Sequence, residues 1–372
     1  MRALPWIVLV GCAFHAGAAS NGGDAGSRGS GDGSGVRSAK RRVKLTFQNG
    51  MRSEALVELA ALVVLDPTRI DYSDCQASGA DLRFFDADDT TPLAYEIEAW
   101  NPGARSLVWV NVPRIDAASD ADFIYMHYGD PSLADAQDPP AVWTSHAQGI
   151  YHMSQDPGPG GLDDMRDSSQ AANHGTASAA MTSADRVDAA IGKGLRLEGN
   201  QTGVTASAIA LGTYTWAMWL DGDAAPVAGG GNTEPLNEDP NFNFAWDHGL
   251  APYVTSAAHE GTTNTWYTAH AGALAAATWY HLSATYDGTS LCMYVDGQAA
   301  GPCTLASTPL PPSGPLLIGS ATSVQASFTG MIDEVRLYDV AQTPARIDAE
   351  YASQRADEAN PFVTFGATEV VP

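Results

Sequence analysis

Basic residues are scarce in this chain. Nineteen Lys and Arg stand against 43 Asp and Glu, giving a net charge of −24 over 372 residues. Such a surface repels phosphate backbones, so nucleic acid is a poor partner. Charged residues of either sign reach only 17%, whereas hydrophobic residues reach 44%. That apolar share supplies packed cores and argues against wholesale disorder. Long hydrophobic runs are missing: beyond the N-terminal stretch no segment reaches the ~18 apolar residues of a membrane-spanning helix. Familiar catalytic signatures are missing too. There is no Gly-x-Ser-x-Gly elbow, no His-Glu-x-x-His pair and no Gly-x4-Gly-Lys-Ser/Thr phosphate cradle. His259-Glu260 has no second His four residues on, and Gly192-Lys193-Gly194 reads as a turn.

What is present begins with an export signal. Met1-Arg-Ala-Leu-Pro-Trp-Ile-Val-Leu-Val-Gly-Cys12 sets one positive charge before an apolar stretch and small residues. Two exits stay open. Leu9-Val10-Gly11-Cys12 resembles a bacterial lipobox, with Cys12 lipidated; Ala16-Gly17-Ala18 suits ordinary cleavage before Ala19. Residues 1–19 are thus a signal peptide, and the expected address is extracytoplasmic: an outer-membrane lipoprotein held through its lipid anchor, or a secreted protein. Residues 20–42 are rich in Gly and Ser, a disordered tether that holds a folded head away from a bilayer.

Short strands fill the rest. Val43–Phe47 alternates, and Asp81–Asp86, Leu93–Trp100, Ser106–Val112 and Asp122–Tyr128 are strand-like. The apolar run Leu56–Leu65 fits strand or helix. Further on, Tyr214–Leu220, Asn241–Trp246, Thr265–His270, Thr278–Asp287, Leu291–Val295 and Phe328–Tyr338 read as strands, punctuated by Asp287-Gly288 and Asp296-Gly297 turns. One helix is expected after Thr343, with Pro344 at its first position and Ile347 and Tyr351 on one face. In the Asp296-Gly297 hairpin Val295 pairs with Gln298, which leaves Cys303 two residues out of register with Cys292. A bulge near Gly301-Pro302 would close a Cys292–Cys303 disulfide. Cys75 reads as a small buried hydrophobe.

Two resemblances follow. Gly79–Phe84, Pro92–Trp100, Val108–Pro113 and Ile124–Asp130 resemble bacterial domain of unknown function 2341. That resemblance implies a small extracytoplasmic β domain, residues 43–145, without known chemistry. Gly149–Met153, Asp167–Gly175, Ile191–Leu197 and above all Ile332–Tyr338 resemble laminin-G-like, concanavalin A-like lectin/glucanase domains, covering 146–372. The implied fold class is all-β: two β-sandwich domains, the second a concanavalin A-like jelly roll. The second resemblance also implies calcium, with Asp167, Asn173 and Asp333 as ligands.

Function is then a matter of faces. Sugar binding wants aromatic planes beside amides or carboxylates. Trp246-Asp247-His248 ends a strand with that mixture, and Trp266 is a further candidate. Concanavalin A-like folds also carry glycoside hydrolases, which need paired carboxylates about 5–5.5 Å apart for retention. The run Glu-x-Asp-x-(x)-Glu is absent. Glu96 and Glu98 alternate without a third carboxylate, and Asp333 and Glu334, being adjacent, are expected on opposite faces. The expected function is a non-catalytic binding protein for a carbohydrate or a surface protein. A glycan-cleaving enzyme and a structural envelope spacer are the alternatives.

Overall fold

Two pairs of antiparallel sheets account for nearly all of the strands in the computed structural model. It describes residues 40–158, 164–199, 202–229, 233–247, 255–262, 264–319, 328–355 and 361–371. The signal segment, Cys12 and residues 20–39 of the tether lie outside the described residues.

The first pair encloses one core. Strand Arg41–Phe47 turns Val43, Leu45 and Phe47 inward, as its alternation requires. It pairs with Phe123–Tyr128 on one side and with the end of the chain, Val363–Phe365 and Glu369–Val370, on the other. This corrects the boundary drawn from sequence: residues 146–372 do not all stay with the second sandwich, because the last strands return to complete the first. Facing this sheet is a three-stranded sheet of Leu56–Leu65, Ser106–Ile115 and Tyr95–Ala99. The Leu56–Leu65 run is a strand. It carries no alternation because both faces are covered: Leu59, Ala61 and Val63 face the first core, while Ala60 and Leu62 face the other way, with Leu107 and Trp109.

The second pair is a nine-stranded and a seven-stranded sheet. Between them lie Trp216, Met218 and Leu220 of strand Tyr214–Gly222, Ile332, Val335 and Leu337 of strand Thr329–Tyr338, and Phe242, Phe244 and Ala257 of the opposing sheet. This is the jelly-roll sandwich expected.

Two local devices shape the functional regions. In the hairpin, Val295 pairs with Gln298 but Leu291 with Thr304. Two extra residues are accommodated between, which brings Cys303 opposite Cys292, and the two are disulfide-bonded. The helix Pro344–Gln354 forms where Thr343 accepts the Arg346 N–H, and it ties the sandwiches together. Its Ser353 hydroxyl accepts the Leu62 N–H at 2.9 Å, while Tyr351 packs on Trp219.

Candidate functional site

Two of the three expected calcium ligands, Asp167 and Asn173, are committed elsewhere, and the third, Asp333, is committed through one of its two oxygens. Asp167 Oδ1 accepts the N–H groups of Ile150 and Ser169, and Oδ2 accepts from the Ser169 hydroxyl and the Asn173 N–H. Four bonds take up the acceptor positions of the carboxylate, which staples the 167–173 loop. The Asn173 amide exchanges two bonds with Ser207, and Asp333 Oδ2 accepts the Ile191 N–H. These residues do not fit a calcium ion, which needs six or more oxygens with lone pairs to spare.

The Trp246 group resolves differently. Trp246 is 3% exposed. It packs against Phe328 at 5.8 Å and donates its indole N–H to the Ala224 carbonyl. It belongs to the core because it shares parity with Phe242 and Phe244. Asp247 accepts from the Val227 N–H and the Thr233 hydroxyl, so it closes a loop. His248 lies outside the described residues.

Trp266 is the exception, at 45% exposed. Ala269 and Ala271 of its strand enter the core, so Trp266, Thr268 and His270 take the outer face of the seven-stranded sheet. Across from Trp266 on the neighbouring strand stands Glu260. The Thr268 hydroxyl and His270 Nε2 are 3.0 Å apart. An aromatic plane thus has a carboxylate across from it and, further along the same face, a hydroxyl and then an imidazole. The disulfide hairpin buttresses this edge: the Thr304 hydroxyl donates to the Thr268 carbonyl at 2.7 Å. Deeper along the same face, Asn243 donates to Asp239 and Asn237 to Glu234. Burial, with Asp239 nearby, pushes Glu234 up to about 7.

A second constellation, not anticipated as a unit, fills the seam between the sandwiches. Tyr95 and Ile97 face the first core, so Glu96 and Glu98 point the other way. They meet Glu334 and Arg336 of the second sandwich, with His152 between. Asp333 and Glu334 share a face after all. The pairing slips between Ala217 and Trp219, and Glu334 takes φ 51°, so a β-bulge puts two consecutive side chains on one side. Trp109 stacks on His152 at 5.7 Å and lies under the Arg336 guanidinium at 4.4 Å.

The cluster is charge-balanced. Burial would lower His152, but Glu334 and Glu96 hold it well above its usual value, so it is a cation beside Arg336. Burial pushes Glu96 and Glu334 up, but His152 outweighs it, and both stay ionised. Glu98 is raised by burial and by Glu334 to about 8, and Asp333 is raised well above its ordinary value by burial, Glu334 and Glu98. Two carboxylates held down and two pushed up thus face two basic side chains, so the buried ionic groups of the seam have partners of opposite sign. The sequence signal available was Glu96-x-Glu98; its partners lie more than fifty residues away.

Residues 78–153 match the family model "Domain of unknown function (DUF2341)" and residues 198–348 that of the concanavalin A-like lectin/glucanases superfamily, laminin-G type. The chain therefore carries the first domain followed by the second. No curated protein matches the sequence. Among solved structures, domain 4 of AbnA, an extracellular arabinanase from Geobacillus stearothermophilus in complex with arabinotriose, is 18% identical with a TM-score of 0.42. That match covers 55% of this chain and 98% of that one. The binding domain of Paraclostridial Mosquitocidal Protein 1 is 10% identical with a TM-score of 0.45, covering 56% and 52%. The binding domain of botulinum neurotoxin serotype D is 6% identical with a TM-score of 0.38, covering 55% and 51%. The chain spans about half the length of these two toxin domains.

Proposed function

We propose that this protein is a non-catalytic binding protein that recognises a carbohydrate on the outer face of its concanavalin A-like sandwich. The carrying observation is Trp266, half exposed on that face across from Glu260, with Thr268 and His270 further along its strand. A flat aromatic stacks on the apolar face of a sugar ring, and flanking polar groups take its hydroxyls. An extracytoplasmic address belongs to this reading. The Cys292–Cys303 disulfide supports it. The test is a glycan array followed by titration of any ligand found. Trp266→Ala is expected to weaken binding by about tenfold or more, roughly the value of one aromatic stack. Binding that survives Trp266→Ala unchanged overturns the site.

One observation favours an enzyme as the second reading. Glu234 and Asp239 lie on the same outer face, and Glu234 rises to about 7, a value suited to a general acid. Polysaccharide cleavage abolished by Glu234→Gln would replace the binding proposal.

A further inference from the structure

Three donor atoms converge in the seam. Glu98, His152 and Glu334 each offer one ligand atom, all within 4.8 Å of one another. Their side chains are 0–1% exposed. His152 Nδ1 stands 2.6 Å from Glu334 Oε1 and 3.7 Å from Glu98 Oε2. A tetrahedral ion with bonds of about 2.0–2.1 Å spaces its donors about 3.3 Å apart. The cluster brackets that spacing and needs to open by less than 1 Å or so at its short edge.

The surroundings are arranged as the outer shell of a metal centre would be. His152 presents Nδ1 to the two carboxylates while Nε2 faces Glu96 Oε2 at 3.3 Å, an orienting carboxylate behind an imidazole. Glu96 is itself fixed by the Ser168 hydroxyl at 2.6 Å and the Trp143 indole N–H. Glu98 Oε2 takes the Trp109 N–H, and Glu334 Oε2 takes Arg336. Independently, two buried oxygens of this cluster, Glu98 Oε1 and Asp333 Oδ1, have no hydrogen-bond partner among the described residues. An unbonded buried carboxylate oxygen is costly, and a cation is what would satisfy it.

We propose that the seam binds one divalent transition metal through Glu98, His152 and Glu334, with Asp333 adjoining. One imidazole among carboxylates suits zinc-like ions; a nitrogen donor and few free oxygens argue against calcium. Ligation displaces the proton from His152 Nδ1, so a divalent ion and Arg336 then stand against the carboxylates of Glu96, Glu98 and Glu334. The ligands come from both sandwiches, so the ion is a structural clip loaded during folding.

The experiment is metal analysis of the untagged full chain, refolded with zinc, manganese or calcium, or with chelator, together with thermal melts. The expected result is about one zinc per chain after gel filtration and a clear rise in Tm over chelator, with no such effect of calcium. Glu98→Gln keeps the length of the side chain and an oxygen for the Trp109 N–H, so it keeps the chelator Tm but loses the zinc and the rise. If that variant does not fold, Asp333→Asn is compared in the same way and is expected to weaken zinc retention. No zinc retained after refolding in its presence, or zinc retained equally by the variant, overturns the proposal.

Discussion

At the residue scale, Glu238 carries a pH dependence of its own. Its side chain lies in the second core, where Oε1 accepts the Ile209 N–H at 3.2 Å and Oε2 has no partner. Burial raises it from 4.5 to about 8. The folded chain therefore holds this proton across the window between those values, and the unfolded chain does not. The stability contribution is full below the lower value and is lost as pH rises through the upper one. Glu238→Gln is expected to flatten the decline of stability between those pH values, gaining on the order of 1–2 kcal/mol at the alkaline end. Urea unfolding at a series of pH values reads it, and an unchanged slope would refute the assignment. Single residues were the scale least legible in the sequence. Trp246 and Trp266 end up in opposite environments, although both sit in aromatic, polar contexts. The difference is parity: Trp246 continues the inward set of Phe242 and Phe244, and Trp266 alternates against Ala269 and Ala271.

At the element scale, the hairpin disulfide closes a short loop, with 11 residues of sequence separation. Loop-closure entropy for that length is worth about 3 kcal/mol. The double variant Cys292→Ser, Cys303→Ser is expected to lower stability by about 2–3 kcal/mol. It should also loosen the adjoining strand Thr265–Ala271, read as faster amide exchange at Thr268 and His270. Exchange unchanged there would disconnect the hairpin from the proposed binding edge. Elements were largely readable: strand Arg41–Phe47, the capped helix and the hairpin follow from alternation, Thr343-Pro344 and Asp296-Gly297, whereas Leu56–Leu65, covered on both faces, has no alternation to read. What hid was the bulge in strand Thr329–Tyr338. Nothing in Ile332-Asp-Glu-Val announces that Glu334 takes φ 51°. A single inserted residue is decided by the strands on either side, so Asp333 and Glu334 could not be placed on one face from sequence alone.

At the scale of the whole molecule, the two sandwiches are not independent modules on a string. Residues from 38 onward form one compact unit. The three-stranded sheet is covered on both faces, and the outer one carries Leu62, Leu107 and Trp109 against Ile150, Trp219 and Tyr338. The last strands of the chain complete the sheet of the first sandwich, and helix Pro344–Gln354 spans the seam. The sequence motifs mark two domains because each family phrase is local, while closure of the first sandwich depends on residues more than three hundred positions away. It follows that the first domain cut out at residue 145 loses an edge strand and exposes a large apolar face. Such a fragment is expected to aggregate or remain unfolded, whereas residues 40–372 unfold in a single calorimetric transition. Trp109→Ala gives the finer test, because Trp109 is 0% exposed and supports both His152 and Arg336. The loss should be about 3–5 kcal/mol. Because the seam couples the halves, the variant should lower the melting of both together. Two separate transitions, with only the first domain shifted, would mean that the seam is a contact and not a joint.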